Sequence, residues 1–274
     1  MSAGDEVPEP VNMVCKDSKG TISLQGNTVM SMEELMICFF HESFQSDRVY
    51  IISPWISDFQ FRSKFVHQPY VSGYSVIDVL RGLMNKGIAV KVLTRCADDA
   101  IDISLIKTVT GLDSKERQEV PSDIRNLLKR KIEDLIGKLT SSKALATEFN
   151  EGIRFDLGDK DDTRLRGRLH SKLYINHRTV IMGSANFTLS GISDGGNWEC
   201  LVRFSRDEKR DLYDYAVGVA EHYLRISRSF DECERRVIKI VNNASNLIGE
   251  RIYSIEDLID YLNRVKEGLD RSVP

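Results

Sequence analysis

Nothing in this sequence is both long and apolar. The run around Leu35 to Phe40 is bounded by Glu33, Glu34, His41 and Glu42, far short of the roughly 20 apolar residues a membrane helix needs. Neither a membrane span nor a membrane partner is expected. Cysteine is sparse: Cys15, Cys38, Cys96, Cys200 and Cys233 are odd in number, widely separated and never in a C-x-x-C pair. That spacing argues against a zinc knuckle and against a disulfide framework, so the five read as small buried apolar residues. Charge bias is missing too, since 38 basic residues face 41 acidic ones for a net of -3, and any polyanion site must be local. With only 6 prolines, 41% hydrophobic and 29% charged residues, the 274-residue chain is neither disordered nor fibrous and is long enough for a large core. Its first residues, Met-Ser-Ala-Gly-Asp-Glu, carry no basic stretch leading into an apolar one, so a cytoplasmic address is expected.

What is present alternates between strands and helices. Residues 1–30 are polar and punctuated by Pro8, Pro10, Gly20 and Gly26, a strand-poor lead-in. Ser31 with Glu34 forms a capping box for a helix to about Phe44, and Ser75 with Asp78 a second one for a helix closing at Gly87. Val49 to Ile52, ended by Ser53-Pro54, and Ile88 to Leu93 read as buried strands on either side of that second helix. Strand, helix and strand make a right-handed βαβ unit, so the expected class is α/β, with a mixed, partly parallel sheet flanked by helices. Residues 97–121 carry few periodic signals. Pro121-Ser122-Asp123 starts a helix with Ile124, Leu127, Leu128, Ile132, Leu135 and Leu139 on one stripe; its Arg125, Lys129, Arg130, Lys131 and Lys138 read as a solvated surface. Ile153, Phe155 and Leu157 alternate as a strand. Beyond Arg206 the pattern is helical, with stripes at Leu212, Tyr215, Val219 and Tyr223, then Val237 to Leu247, then a box at Ser254 with Asp257. The expected organisation is a lead-in over 1–30, a catalytic domain over 31–229 and a C-terminal helical extension over 230–274.

The most informative segment is Arg164-Leu-Arg-Gly-Arg-Leu-His-Ser-Lys-Leu-Tyr-Ile-Asn176. In extended chain, Arg164, Arg166, Arg168, His170 and Lys172 project to one side and Leu165, Leu169, Leu173 and Ile175 to the other. Four fixed cations beside an imidazole suit a phosphate group, and the three arginines are candidate phosphate-binding residues. A strand over Thr179 to Met182 then leads into Gly183-Ser184-Ala185-Asn186, a sharp turn with neutral donors at Ser184 and Asn186.

His-x-Lys followed by Gly-Ser-x-Asn resembles the signature of the phospholipase D superfamily. Ile51-Ile-Ser-Pro-Trp-Ile-Ser57 is similar to that family's first strand and turn, and Asn197-Trp-Glu199 to its downstream Asn-x-Glu. One departure stands out. The family's aspartate would fall at Asn176 or His177, and the interval to the glycine is one residue short. The resemblance implies phosphodiester cleavage without metal or other cofactor. His170 would be the nucleophile that forms a phosphohistidine, Lys172 and Asn186 with Ser184 would hold the non-bridging oxygens, and Glu199 would orient the imidazole.

Two histidines are needed for that chemistry, yet His41, His67, His177 and His222 are not followed by lysine at the second position. A single motif implies a homodimer in which the two copies of His170 meet, as in the family's single-motif branch of small bacterial nucleases and some restriction endonucleases. The expected activity is that of a nuclease acting on nucleic acid, DNA in the first place, with a helicase or other ATPase as a partner in defence or repair by family analogy. Two alternatives stand beside it: a noncatalytic nucleic-acid or protein-binding subunit, on the strength of the missing aspartate, and a phospholipase, for which no interfacial helix is evident.

Overall fold

The computed structural model describes residues 31–62, 68–112, 120–149, 152–158, 168–193, 199–244 and 251–270, together with the backbone of a strand at Asn12–Cys15. Two compact units emerge, each assembled from two stretches of chain: Met1–Thr94 with Leu169–Ser227, and Arg95–Arg168 with Arg228–Pro274. The polypeptide leaves the first unit at the end of its third strand and returns to it at Leu169. No helix among the described residues is long and apolar enough to cross a membrane.

The first unit is built on a mixed sheet. Its strands are β1 (Asn12–Cys15), β2 (Arg48–Ile52), β3 (Ala89–Arg95), β5 (Leu173–Ile175), β6 (Thr179–Gly183) and β7 (Cys200–Ser205), in the spatial order β1-β7-β6-β5-β2-β3; the strand Ile153–Asp156, β4, belongs to the second unit. Only β2 and β3 run parallel, with Ile51 opposite Val92, and the other pairings are antiparallel. The parallel pair is the βαβ unit legible in the sequence, its crossover being α2 (Val76–Asn85), where the Ser75 hydroxyl accepts from Asp78 N–H. The helix ends at Gly87, whose φ of 80° is the left-handed conformation glycine adopts freely. Strand β1 corrects the expectation of a strand-poor lead-in.

Helix α1 (Met32–Ser43) begins with the complete Ser31–Glu34 capping box and buries Met32, Met36, Phe39 and Phe40. Phe40 meets Phe61 and Phe187, each at 5.7 Å, and Phe187 meets Tyr174 at 5.6 Å. Each such buried side chain contributes on the order of 1.5–3 kcal/mol, so this aromatic group anchors the loops at one edge of the sheet. A second cluster contains Tyr50, Ile52, Leu173, Ile175 and Phe204, packed with Tyr213, Ala216 and Ala220 of the helix Arg210–Ile226, designated α5. That face differs from the expected stripe: Leu212 and Tyr215 are 50% and 73% exposed. Two alanines let the helix lie close to the strands, and the Tyr213 hydroxyl donates to Asn176 O at 2.6 Å, which fixes its rotation.

Asn176 is one of the two positions where the family's aspartate would fall. It is fully buried, and its Oδ1 accepts from the N–H groups of Arg178 at 2.9 Å and Thr179 at 2.7 Å, closing the turn between β5 and β6. Its Nδ2 donates to Phe39 O and Ser43 Oγ, both at 3.3 Å. An aspartate would keep the turn but face the Phe39 carbonyl without a proton to give. Asn176→Ala is expected to cost about 2–4 kcal/mol by orphaning two buried N–H groups, and Asn176→Asp about 1–3 kcal/mol. Urea denaturation followed by circular dichroism measures both.

The second unit contains α3 (Ile103–Gly111), in a stretch whose periodicity the sequence hides, α4 (Ser122–Phe149), β4 (Ile153–Asp156), α6 (Phe230–Ala244) and α7 (Ile255–Asp270). On α4, Leu128, Ile132, Leu135 and Leu139 are buried as expected, whereas Ile124 and Leu127 are 47% and 55% exposed. Three of its basic residues pair with acids: Lys129 with Asp270, Lys131 with Asp102 and Lys138 with Asp134. The capping box at Ser254 and Asp257 is in place.

Cys96 and Cys233 form a disulfide across a sequence separation of 137 residues. This corrects the reading of five free apolar cysteines, and Cys38 and Cys200 are only partly buried thiols. A bridge over so long a loop is expected to stabilise by about 3–5 kcal/mol through the unfolded chain. Reductant should therefore lower the urea midpoint, and an unchanged midpoint would show that the bridge contributes nothing.

Candidate active site

Four strand ends converge on one edge of the first unit's sheet. Leu173 lies opposite both Ile52 and Met182, and Gly183 opposite Leu201. The residues preceding β5, following β6 and preceding β7 are therefore brought together with the loop that follows β2. The first supplies His170 and Lys172, the second Ser184 and Asn186, and the third Glu199. Glycine is required at 183, because a Cβ there would stand 2.0 Å from the Cys200 carbonyl oxygen.

Regular pairing starts only at Leu173, so the segment bearing His170 is not a strand. Leu169, Leu173 and Ile175 are buried as the alternation requires, and His170 is exposed. Lys172 is not: it is 6% exposed, and its Nζ donates to His170 O at 2.8 Å and lies 3.1 Å and 3.3 Å from the imidazole Nδ1 and Nε2. A buried ammonium is costly unless its protons are engaged, and this one is set directly against the ring of the exposed histidine.

Ser184 Oγ donates to Glu199 Oε2 at 2.5 Å and accepts from Cys200 N at 2.9 Å, while Ser184 N donates to Cys200 O at 2.9 Å. The expected role of Glu199 is changed by this geometry. Its carboxylate holds the serine hydroxyl, and among the described residues it makes no hydrogen bond to His170. The single hydroxyl proton of Ser184 is likewise engaged, leaving the Lys172 ammonium and the Asn186 amide as the donors for an incoming anion. Asn186 is half-buried, with its Oδ1 enclosed and unpartnered.

Sequence reasoning overlooked Ser53. It is wholly buried, its Oγ accepts from Phe187 N at 2.9 Å and donates to Trp55 O at 2.8 Å, and Ser57 N donates to Phe187 O at 3.0 Å. These bonds lace the loop after β2 to the loop carrying Asn186. The Ser-Pro step after the strand was its only signal. Trp55 is half-exposed.

Of the candidate phosphate-binding arginines, Arg164 and Arg166 lie outside the described residues, as does Asn197. Arg168 is in the second unit and is engaged there. Its Nη2 lies 2.8 Å from Asp98 Oδ2 and its Nε 3.4 Å from Asp99 Oδ1, and Arg236 reaches the same buried Asp98 at 2.7 Å. These contacts raise the Arg168 pKa against the opposing effect of burial. The pairing draws Arg168 away from the phosphate role expected of it, since a guanidinium held by two carboxylates has few donors to spare.

The sequence model of a domain family described as "Cardiolipin synthase, PLD-like domain" matches residues 61–216, a span that takes in all five residues converging on this edge. No curated protein matches the chain.

Proposed function

The chain belongs to the phospholipase D superfamily through its PLD-like domain, and from that premise we propose that its phosphodiesterase-type chemistry is that of a nuclease cleaving DNA through a covalent phosphohistidine. The observation that carries the proposal is the Lys172 ammonium lying 3.1–3.3 Å from both ring nitrogens of an exposed His170. An anion arriving there meets a nucleophile and a fixed cation together, with charge stabilisation built in before reaction. An imidazole nitrogen of His170 attacks phosphorus, the bond to the leaving oxygen breaks, and the protonated imidazole of a second copy gives that oxygen its proton. Water then attacks phosphorus while the second imidazole takes its proton, the phosphorus–nitrogen bond breaks, and both rings return to their starting states. Lys172 and Asn186 hold the non-bridging oxygens throughout. Glu199 acts through Ser184, fixing the loop that presents Asn186.

DNA is preferred over lipid because the five side chains that converge on the edge are polar or charged and no interfacial apolar helix accompanies the motif among the described residues. The test presents single- and double-stranded DNA, RNA and phospholipid vesicles to the protein in chelator. DNA cleavage is expected, and exclusive lipid hydrolysis or metal-dependent cleavage would overturn the reading. Sharing of the site is tested by mixing wild-type and His170→Ala chains through a cycle of denaturation and refolding. At equal amounts, activity should fall to about one quarter if only wild-type pairs work, against about one half for independent subunits.

A further inference from the structure

At the other end of the same strands, about 15 Å away by strand rise, a separate cleft of about 380 Å³ opens between the start of β2, the turn after β5 and the first part of α5. Its charged groups are unevenly matched. Arg48 is neutralised by Asp47 at 3.3 Å and approached by Glu221 at 3.9 Å, and Asp214 has Arg210 at 3.8 Å. Arg206 stands apart: its guanidinium lies 5.4 Å from the centre of the Tyr213 ring, and among the described residues no carboxylate or hydroxyl pairs with it. The ring beneath is fixed by the bond from Tyr213 to Asn176 O. Beside it, His177 has an enclosed Nδ1 with no partner. Burial, and secondarily Arg178, hold its pKa below the ordinary histidine value, so the ring is neutral and offers one donor and one acceptor.

An unpaired planar cation calls for an anion, and the volume lies within the range of small-molecule sites, well beyond what inorganic phosphate fills. The carboxylate of Asp47, which lines the same cleft and keeps lone pairs beyond its contact with Arg48, can accept hydrogen bonds from a ligand that carries donors. We propose that this cleft binds a nucleoside monophosphate, with its phosphate on Arg206 and the donor edge of its base toward Asp47. The preference for a nucleotide over another organic phosphate rests on the nuclease reading; the need for an anion with donors attached does not.

The test is isothermal titration of the full chain with AMP, GMP, CMP, UMP, adenosine and inorganic phosphate, repeated on Arg206→Ala and His170→Ala. At least one mononucleotide should saturate at one per chain, bind at least tenfold more weakly to Arg206→Ala, and bind undiminished to His170→Ala. Adenosine and phosphate alone should each bind at least tenfold more weakly than that nucleotide. Equal affinity in Arg206→Ala, loss in His170→Ala, phosphate as tight as the nucleotide, or no saturable binding would each overturn the proposal. Because the readout is binding, a protein that binds nucleotide without cleaving DNA would fail the nuclease reading alone, and one that cleaves without binding would fail only this inference.

Discussion

Replacing His170 by alanine is expected to reduce phosphodiester turnover by about 10⁴-fold or more, the scale seen when a nucleophile is removed from a covalent mechanism, while leaving the fold intact. The side chain is exposed and, among the described residues, hydrogen-bonding contact with its ring comes from Lys172, so its loss opens no buried cavity there, and the ammonium keeps the His170 carbonyl. Substrate should still bind, because Lys172 and Asn186 remain. Steady-state kinetics on a single-phosphodiester substrate, paired with a melting curve, reads both sides. Turnover within tenfold of wild type would move the nucleophile elsewhere, and a collapsed melting temperature would make the residue structural.

Lys172→Met should lower kcat by about 10²–10³-fold, with a smaller rise in KM from the lost ground-state contact. It removes a preorganised charge aimed at oxygens that gain negative charge in the transition state, a loss on the order of 3–4 kcal/mol. Stability should move the other way or stay level. Methionine fills the space of the lysine stem, and an apolar group in a site only 6% exposed avoids the cost of burying an ammonium. This opposition of effects separates a catalytic lysine from a structural one, for which activity and stability would fall together. A fall of less than threefold in kcat would remove Lys172 from the chemistry.

The elements nearest the site were legible because each carried a local signal. Ser31 and Ser75 announced their helices through the acids three residues on, and the β-branched runs on either side of α2 announced the parallel pair. What escaped detection depends on groups distant in sequence. Asn176 looked like the loss of an acid, and only its amide donating to the Phe39 carbonyl shows why an amide belongs there. Arg168 shared a stripe with His170 on paper, yet Asp98, 70 residues earlier, takes it. Glu199 was assigned to the imidazole by analogy, whereas the strand register places it on the Ser184 hydroxyl. The α5 stripe failed for a simpler reason: large apolar residues score highest in a periodicity, but alanines permit the closest approach to a sheet.

The account stands or falls on a covalent bond between phosphorus and one named ring. Rapid mixing of enzyme with labelled DNA, stopped by denaturant at alkaline pH where a phosphorus–nitrogen bond survives, followed by peptide mapping, reads that bond directly. The account predicts label on His170 that is released by acid. Label on any other residue, or single-turnover cleavage with no labelled protein at any time, would contradict it.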